Sequence, residues 1–337
     1  MDTAVVILNW NGLRMLQAYL PTLVARTRED GAFIVVADNG STDGSVAWLK
    51  ETWPDIRTLC FDRNYGFAGG YNRALREIDA DYYVLLNSDV EVTEGWLAPL
   101  IGFMEEHPDA GVCQPKVRSV AERGRFEYAG AAGGFIDRYG YPFCRGRILS
   151  CMEEDKGQYD TPEECFWATG ACMVVRSALY HHLGGLDESF FAHMEEIDFC
   201  WRAKLLGYQV WCVPASTVFH VGGGTLPNNS PRKLYFNYRN NLLMLYKNLP
   251  ERIRRRRIFL RMCLDGASAA VYLFTGRWSY FKAVWKAHRD YRRMRRDEDP
   301  SPFAEERDNV GLYDGSIVLK FFLSGKRLRW SDIEREL

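Results

Sequence analysis

The chain reads as an α/β protein with a mostly parallel central sheet, followed by a helical C-terminal extension. Three observations predict this. In the first third, short apolar, β-branched runs alternate with stretches of helical period. Those runs are apolar at successive positions, as in strands buried on both faces of a parallel sheet. From Arg232 onward the pattern turns helical and basic. At 337 residues the chain has room for one large domain or two ordinary ones.

The elements follow in order. Residues 5–8 form the first expected strand, and 13–26 the helix after it. A second strand, 33–37, stops at Asp38-Asn39-Gly40-Ser41-Thr42-Asp43-Gly44, and 45–52 is helical. Residues 56–61 are a third strand and 72–78 a helix. Residues 82–86 are a fourth strand running into Asn87-Ser88-Asp89. Strands are expected at 110–117 and 172–175, with loops and hairpins over the Gly-rich, charged stretch 118–164. A further strand at 210–213 ends near His220. Ligands of open parallel sheets bind beyond the carboxyl ends of the strands, where the clusters at Asp38 and Asp89 both fall.

A composition of 47% hydrophobic and 26% charged residues is that of a folded globular protein. A net charge of −1 excludes a protein that coats nucleic acid. The charge is unevenly placed: residues 228–299 hold eighteen Lys and Arg against six Asp and Glu, so this stretch carries +12 and the rest −13. The split predicts two surfaces with different partners. Nine cysteines without a Cys-x-x-Cys pair suggest buried free thiols in a reducing cytosol. The first residues enter an apolar strand without a basic leader, so no secretory signal is expected.

Several segments could carry chemistry. The Asp38 cluster suits an ordinary tight turn, and equally a carboxylate that binds a nucleotide's base or ribose. Asn64-Tyr65-Gly66-Phe67-Ala68-Gly69-Gly70-Tyr71-Asn72 puts glycines ahead of a helix, where backbone N–H groups could meet a diphosphate. Asp89, at a strand end, could hold Mg2+ or Mn2+ against phosphate oxygens. His193-Met194-Glu195-Glu196-Ile197-Asp198 interleaves three carboxylates with apolar residues. If helical, it places Glu195 and Asp198 near one face and Glu196 on another. Partly buried carboxylates of this kind suit a general base.

Taken together, these segments resemble glycosyltransferase family 2, inverting nucleotide-sugar enzymes with a GT-A fold. The matching elements run in family order: Val6-Ile7-Leu8-Asn9-Trp10-Asn11, the Asp38 cluster, the 64–72 segment, Asn87-Ser88-Asp89, Gly184-Gly185-Leu186-Asp187-Glu188 and Glu195-Glu196-Ile197-Asp198. The resemblance covers about residues 3–248. The subgroup looks like bacterial rhamnosyltransferases of surface-polysaccharide assembly, in which Asn-Ser-Asp stands for Asp-x-Asp. It implies a GT-A catalytic domain over residues 1–228, with a nucleotide half to about 117 and an acceptor half from 118. A basic helical extension then covers 229–337.

The implied nucleotide-binding residues are Asn9, Asn11, Asp38, Asn39, Ser41, Asp43, Asn64, Gly66, Gly69, Asn72, Asn87 and Ser88. Asp89 and His220 would hold a divalent metal, Mn2+ or Mg2+. Glu196 falls at the family's catalytic base, with Asp198 or Glu195 as alternatives. The implied partners are a nucleoside diphosphate sugar, rhamnose being one candidate, and a glycan or lipid-linked acceptor. No nucleic acid is among them. The arginines of 252–257 and the aromatics Trp278, Tyr280, Phe281 and Trp285 suit an anionic membrane surface, or a helical cap packed on the catalytic domain or on a second copy of the chain. The expected location is cytoplasmic, with attachment to the cytoplasmic face of the inner membrane as the membrane reading. Rival readings are a nucleotidyltransferase and a non-catalytic nucleotide- or carbohydrate-binding scaffold.

Overall fold

In the computed structural model, which describes residues 2–29, 31–222, 230–305 and 310–336, the alternation becomes one sheet. β1 (Thr3–Asn9), α1 (Leu13–Glu29), β2 (Phe33–Asp38), α2 (Ser45–Thr52), β3 (Arg57–Cys60), α3 (Gly66–Leu75) and β4 (Tyr82–Asn87) succeed one another. β5 (Val90–Val92), α4 (Ala98–Glu106) and β6 (Ala110–Ser119) follow. Where hairpins were expected lies an antiparallel meander of β7 (Gly134–Ile136), β8 (Pro142–Cys144), β9 (Arg147–Ile148) and β10 (Cys151–Met152). Next come β11 (Glu163–Cys165), β12 (Cys172–Arg176), α5 (Ser177–His182), α6 (Glu195–Leu205) and β13 (Gln209–His220). The C-terminal part is α7 (Pro231–Asn248), α8 (Glu251–Phe274), α9 (Trp278–Met294) and α10 (Ile317–Leu323).

The strand order is β11-β13-β6-β12-β4-β1-β2-β3, with β5 on β13. β3, β2, β1 and β4 are parallel, β12 runs against β4 and β6, and β13 is parallel to β6. Side chains alternate across the pleat. Ala4 and Val6 of β1 face the core shared with α3, and Val5 and Ile7 the core shared with α1 and α4. Burial on both faces explains the unbroken apolar runs.

Two elements differ from the sequence reading. α3 begins at Gly66, inside the glycine segment, instead of at Asn72. Glycine's low helix propensity conceals this start, and packing overrides it. A Cβ on Gly70 would lie 2.7 Å from Leu8 Cδ1, so the glycine lets α3 sit directly on β1. β13 runs on to His220, with a register irregularity between Val213 and Thr217. Pro214 there has no N–H for the ladder, which is why the pattern reads as ending at Val213.

The expected division near 117 and 118 falls within β6, and that at 228 and 229 lies outside the described residues. The C-terminal helices share a core with the sheet, in which Ile317, Phe321 and Trp330 cluster with Phe135 and Phe143. The Trp330 and Phe135 rings are 4.5 Å apart. All nine cysteines are free, but Cys60 and Cys263 are exposed, so burial does not account for every thiol.

Candidate active site

Parallel register sets Asn9 opposite Asp38 and Leu8 opposite Asn87, which gathers these polar groups at the carboxyl ends of β1, β2 and β4. Asp38 is buried. Its carboxylate accepts from Asn9 Nδ2 and from the Ser41 N–H, each at 2.8 Å. Ser41 Oγ accepts from the Asn11 N–H at 2.8 Å, and Asn11 Oδ1 from the Thr42 N–H at 2.7 Å. Asp43 accepts from the N–H groups of Leu13 at 2.9 Å and Ser45 at 3.1 Å, joining the starts of α1 and α2. Partial burial opposes its charge, but the Ser45 hydroxyl and these N–H groups hold its pKa below the ordinary value. Gly40, at φ 75°, would bring a Cβ within 2.6 Å of the Arg63 backbone, so the turn closes only on glycine.

The next predicted residues are tied into the fold. Asn39 Nδ2 donates to Asn64 Oδ1 (3.1 Å) and to the Gly66 carbonyl (2.9 Å). Asn72 donates to the Leu186 carbonyl at 2.7 Å and accepts from the Tyr180 hydroxyl at 2.7 Å, anchoring the Gly185-Leu186 turn. A Cβ on Gly69 would lie 3.1 Å from Arg73 Nη1. Gly66 and Gly69 thus lie within α3, where they serve packing; the reading of them as a loop ahead of a helix is corrected. Asn87 and Ser88 are half-buried, and the Asn87 N–H donates to the Ala171 carbonyl at 3.0 Å.

β13 pairs antiparallel with β5, setting His220 opposite Val90 and therefore beside Asp89. His220 Nε2 is 3.2 Å from Asp89 Oδ1, and its Nδ1 is 3.5 Å from Glu127 Oε2. Burial disfavours the imidazolium, but the two carboxylates prevail and raise its pKa to about 10. Burial likewise opposes the charges on Asp89 and Glu127, and contact with His220 holds both carboxyls below their ordinary values. Glu127 was not anticipated: it lies alone in a Gly-rich stretch with no spacing signal.

The donor set of Asp89 and His220 fits a hard divalent cation. The 3.2 Å between His220 Nε2 and Asp89 Oδ1 is a direct contact, and a divalent cation would take the place of the proton on Nε2 between them. Glu127 on the far nitrogen is the partner a metal-bound imidazole requires. Among the described residues no group of three such side chains could hold a metal. The remaining ligands would therefore have to come from a bound diphosphate or water.

The acidic segment becomes the first turn of α6. It is preceded by Phe191, His193 and Met194, at φ 65°, 71° and 75°. Three side-chained residues in this region store strain that the surroundings must hold. α7 holds it: Asn240 Nδ2 donates to the carbonyls of Phe190, Ala192 and His193 at 2.7–3.0 Å, and Arg239 donates to that of Phe190 at 2.9 Å. Neither residue stands out in the sequence, because both sit in an ordinary basic helix.

Glu195 and Glu196 each have a buried Oε2 without a hydrogen-bond partner among the described residues. Burial raises both carboxyl pKa values. That of Glu195 is pushed well up, with Glu196 adding repulsion. For Glu196, the N–H groups of the helix start and then Lys233 oppose the rise. Asp198 differs. It accepts from Arg202 Nε at 2.8 Å and Asn248 Nδ2 at 2.6 Å, and it is fully buried. A Cβ on Gly170 would lie 3.9 Å from Glu196 Cβ, one residue from the Ala171 carbonyl that binds Asn87. The acidic turn therefore lies near the end of β4.

The family model for glycosyl transferase family 2 matches residues 4–183, more than half of the chain. The chain belongs to glycosyltransferase family 2. An N-acetylglucosaminyl-diphospho-decaprenol L-rhamnosyltransferase of Mycobacterium tuberculosis is 27% identical over 220 residues, 61% of this chain and 71% of that protein. The dTDP-rhamnosyl transferase RfbF of Shigella flexneri is 24% identical over 249 residues, 68% of this chain and 76% of that one. Among solved structures, GalNAc-T7 with UDP, GalNAc and Mn2+ has a TM-score of 0.58 at 16% identity. That match covers 74% of this chain but only 48% of GalNAc-T7. The mannosyltransferase PcManGT from Pyrobaculum calidifontis, in complex with GDP-Man and Mn2+, has a TM-score of 0.51 at 14% identity and covers 85% of each chain. These likenesses establish the GT-A fold. Family 2 membership and the rhamnosyltransferase relatives support a transferase over the nucleotidyltransferase and scaffold readings.

Proposed function

We propose that the chain is an inverting glycosyltransferase that moves a sugar, rhamnose by likeness to its relatives, from a nucleoside diphosphate onto a glycan or lipid-linked acceptor. The observation that carries this reading is the meeting of three groups at one set of strand ends. They are the Asp38 cluster, Asp89 with His220, and the acidic turn beside Gly170. In this reading Asp38, oriented by Asn9 and Ser41, binds the base or ribose, and the Asn39, Asn64 and Asn72 links shape the wall around it. Asp89 and His220 hold Mn2+ or Mg2+, which when bound stabilises negative charge on the departing diphosphate. Glu127 orients His220.

Glu196 is the proton acceptor. The acceptor oxygen bonds to the anomeric carbon as the bond from that carbon to the diphosphate oxygen breaks. The hydroxyl proton passes to Glu196 Oε2 and the nucleoside diphosphate leaves intact. A single displacement inverts the centre. Burial raises the carboxyl pKa of Glu195 as well, and Asp198 acts as a strut. The catalytic domain in this reading is residues 1–228, and 229–337 is a helical extension that buttresses it.

The test is release of nucleoside diphosphate from a nucleotide sugar, with and without Mn2+. Glu127→Gln is expected to weaken Mn2+ binding by about 10- to 100-fold, measured by calorimetric titration of the folded variant with nucleoside diphosphate present. Asp89→Asn should do at least as much. Full turnover in EDTA would refute the metal role.

Attachment to a membrane surface belongs to the same reading. Among the described residues no helix is long and apolar enough to cross a membrane. Arg252, Arg255 and Arg256 are exposed on α8, as are Phe274, Trp278 and Trp285 on α8 and α9. Sedimentation with anionic vesicles that reverses with salt is expected, because exposed charges are screened. Equal sedimentation with neutral vesicles would count against it.

A further inference from the structure

A cavity of about 490 Å³ lies where the first two turns of α7 meet the hairpin of α8 and α9. Lys233 and Asn237 line it from α7, Tyr272 from the end of α8, and Arg277 and Tyr280 from the turn into α9. With Ser230 and Leu234 completing the lining, two cations, a carboxamide, a hydroxyl and two phenols face the cavity, and among the described residues no carboxylate does. Such a wall suits an anion, and phosphate oxygens in particular. The cavity is separate from the Asp38 cluster and from Asp89 and His220, so the donor's diphosphate already has its place elsewhere.

Lys233 connects the cavity to the chemistry. Burial lowers the pKa of its ammonium, while Glu127 and Glu196 act on it in the opposite sense, so a lysine of the cavity lining lies within electrostatic reach of both carboxylates. Exposed apolar groups neighbour two of the lining residues in the chain. Phe274, two residues after Tyr272, is 86% exposed, and Trp278, next to Arg277, is 57% exposed.

We propose that this cavity binds the diphosphate of a prenyl diphosphate-linked acceptor. The prenyl chain leaves past Phe274 and Trp278, and the acceptor sugar points past Lys233 toward Glu196. The inference rests on the lipid-linked branch of the acceptor reading above.

The full-length chain is titrated with geranyl diphosphate, inorganic diphosphate and geraniol, all in EDTA so that the metal site captures none of them. Wild type should bind geranyl diphosphate more tightly than inorganic diphosphate, and geraniol weakly. Arg277→Gln, at an exposed position that leaves the core untouched, should weaken geranyl diphosphate by about tenfold or more, as loss of a charged hydrogen bond does. Arg277→Lys should recover much of that loss. Binding of nucleoside diphosphate with Mn2+ should be unchanged in both variants. Unaltered geranyl diphosphate affinity in Arg277→Gln overturns the proposal. So does inorganic diphosphate binding as tightly as the prenyl form, which would make the cavity a site for the free anion. If wild type binds no nucleotide sugar but Arg277→Gln still loses geranyl diphosphate, the donor reading fails and the cavity assignment stands.

Discussion

Glu196→Gln is expected to lower kcat by about 100- to 10,000-fold, the usual contribution of a general base, with little change in donor affinity. The amide keeps the size and hydrogen-bonding shape of the carboxyl but cannot take the acceptor's proton. Because that proton moves only in the transition state, the loss falls on kcat and kcat/KM together. The pH profile gives a second measure. Burial raises the Glu196 pKa above the ordinary carboxylate value, and the base works only when ionised. Activity in the wild type should therefore rise with pH through a limb displaced to higher pH than a solvent-exposed glutamate would show. The residual activity of Glu196→Gln should lack that limb. Glu196→Gln with near wild-type kcat would move the base elsewhere. Loss of donor affinity in place of kcat would make the acidic turn part of the donor pocket.

The parts of the site that could be read from the sequence are those where a local pattern is broken. Apolar runs that stop in Asp38-Asn39 and Asn87-Ser88-Asp89 announce strand ends, because a strand buried on both faces tolerates no such residues inside it. The acidic turn could be read because Glu195 and Asp198 alternate with Ile197 and Phe199, and that spacing makes both carboxylates buried helix positions. What could not be read depends on register or on distance. Glu127 meets His220 because its N–H donates to the Val117 carbonyl of β6, the strand along which β13 runs to His220. Asn240 and Arg239 support the strained turn from a helix whose own pattern is unremarkable. The start of α3 is hidden because glycine suits a turn better than a helix, and only contact with Leu8 explains it. The separation of roles proposed for the three carboxylates was also out of reach. It rests on Arg202 and Asn248 binding Asp198 and on no hydrogen-bond partner, among the described residues, reaching Oε2 of Glu195 and Glu196.

That separation yields the other large effect. Arg202 binds Asp198 through Nε at 2.8 Å and donates to the carbonyls of Leu183 at 2.8 Å and Gly185 at 3.0 Å. One guanidinium thus ties the start of α6 to the turn that Asn72 anchors from the other side. Arg202→Leu strands a fully buried carboxylate with Asn248 as its side-chain partner among the described residues, and it orphans two carbonyls. Removing one member of a buried ion pair costs about 3–5 kcal/mol, so the denaturation midpoint should fall by that equivalent at an unchanged m-value. The double variant Asp198→Leu/Arg202→Leu should recover part of the loss, because no unpaired charge is then buried, and the difference measures the coupling. Asp198→Asn should also lose stability, while its folded fraction keeps kcat within about tenfold of wild type, far from the loss expected of a missing general base. If Arg202→Leu loses less than about 1 kcal/mol, the scale of an exposed pair, the ion pair is no strut. If Asp198→Asn abolishes transfer while Glu196→Gln does not, the proton acceptor is Asp198, and the buried pair is the device that orients it.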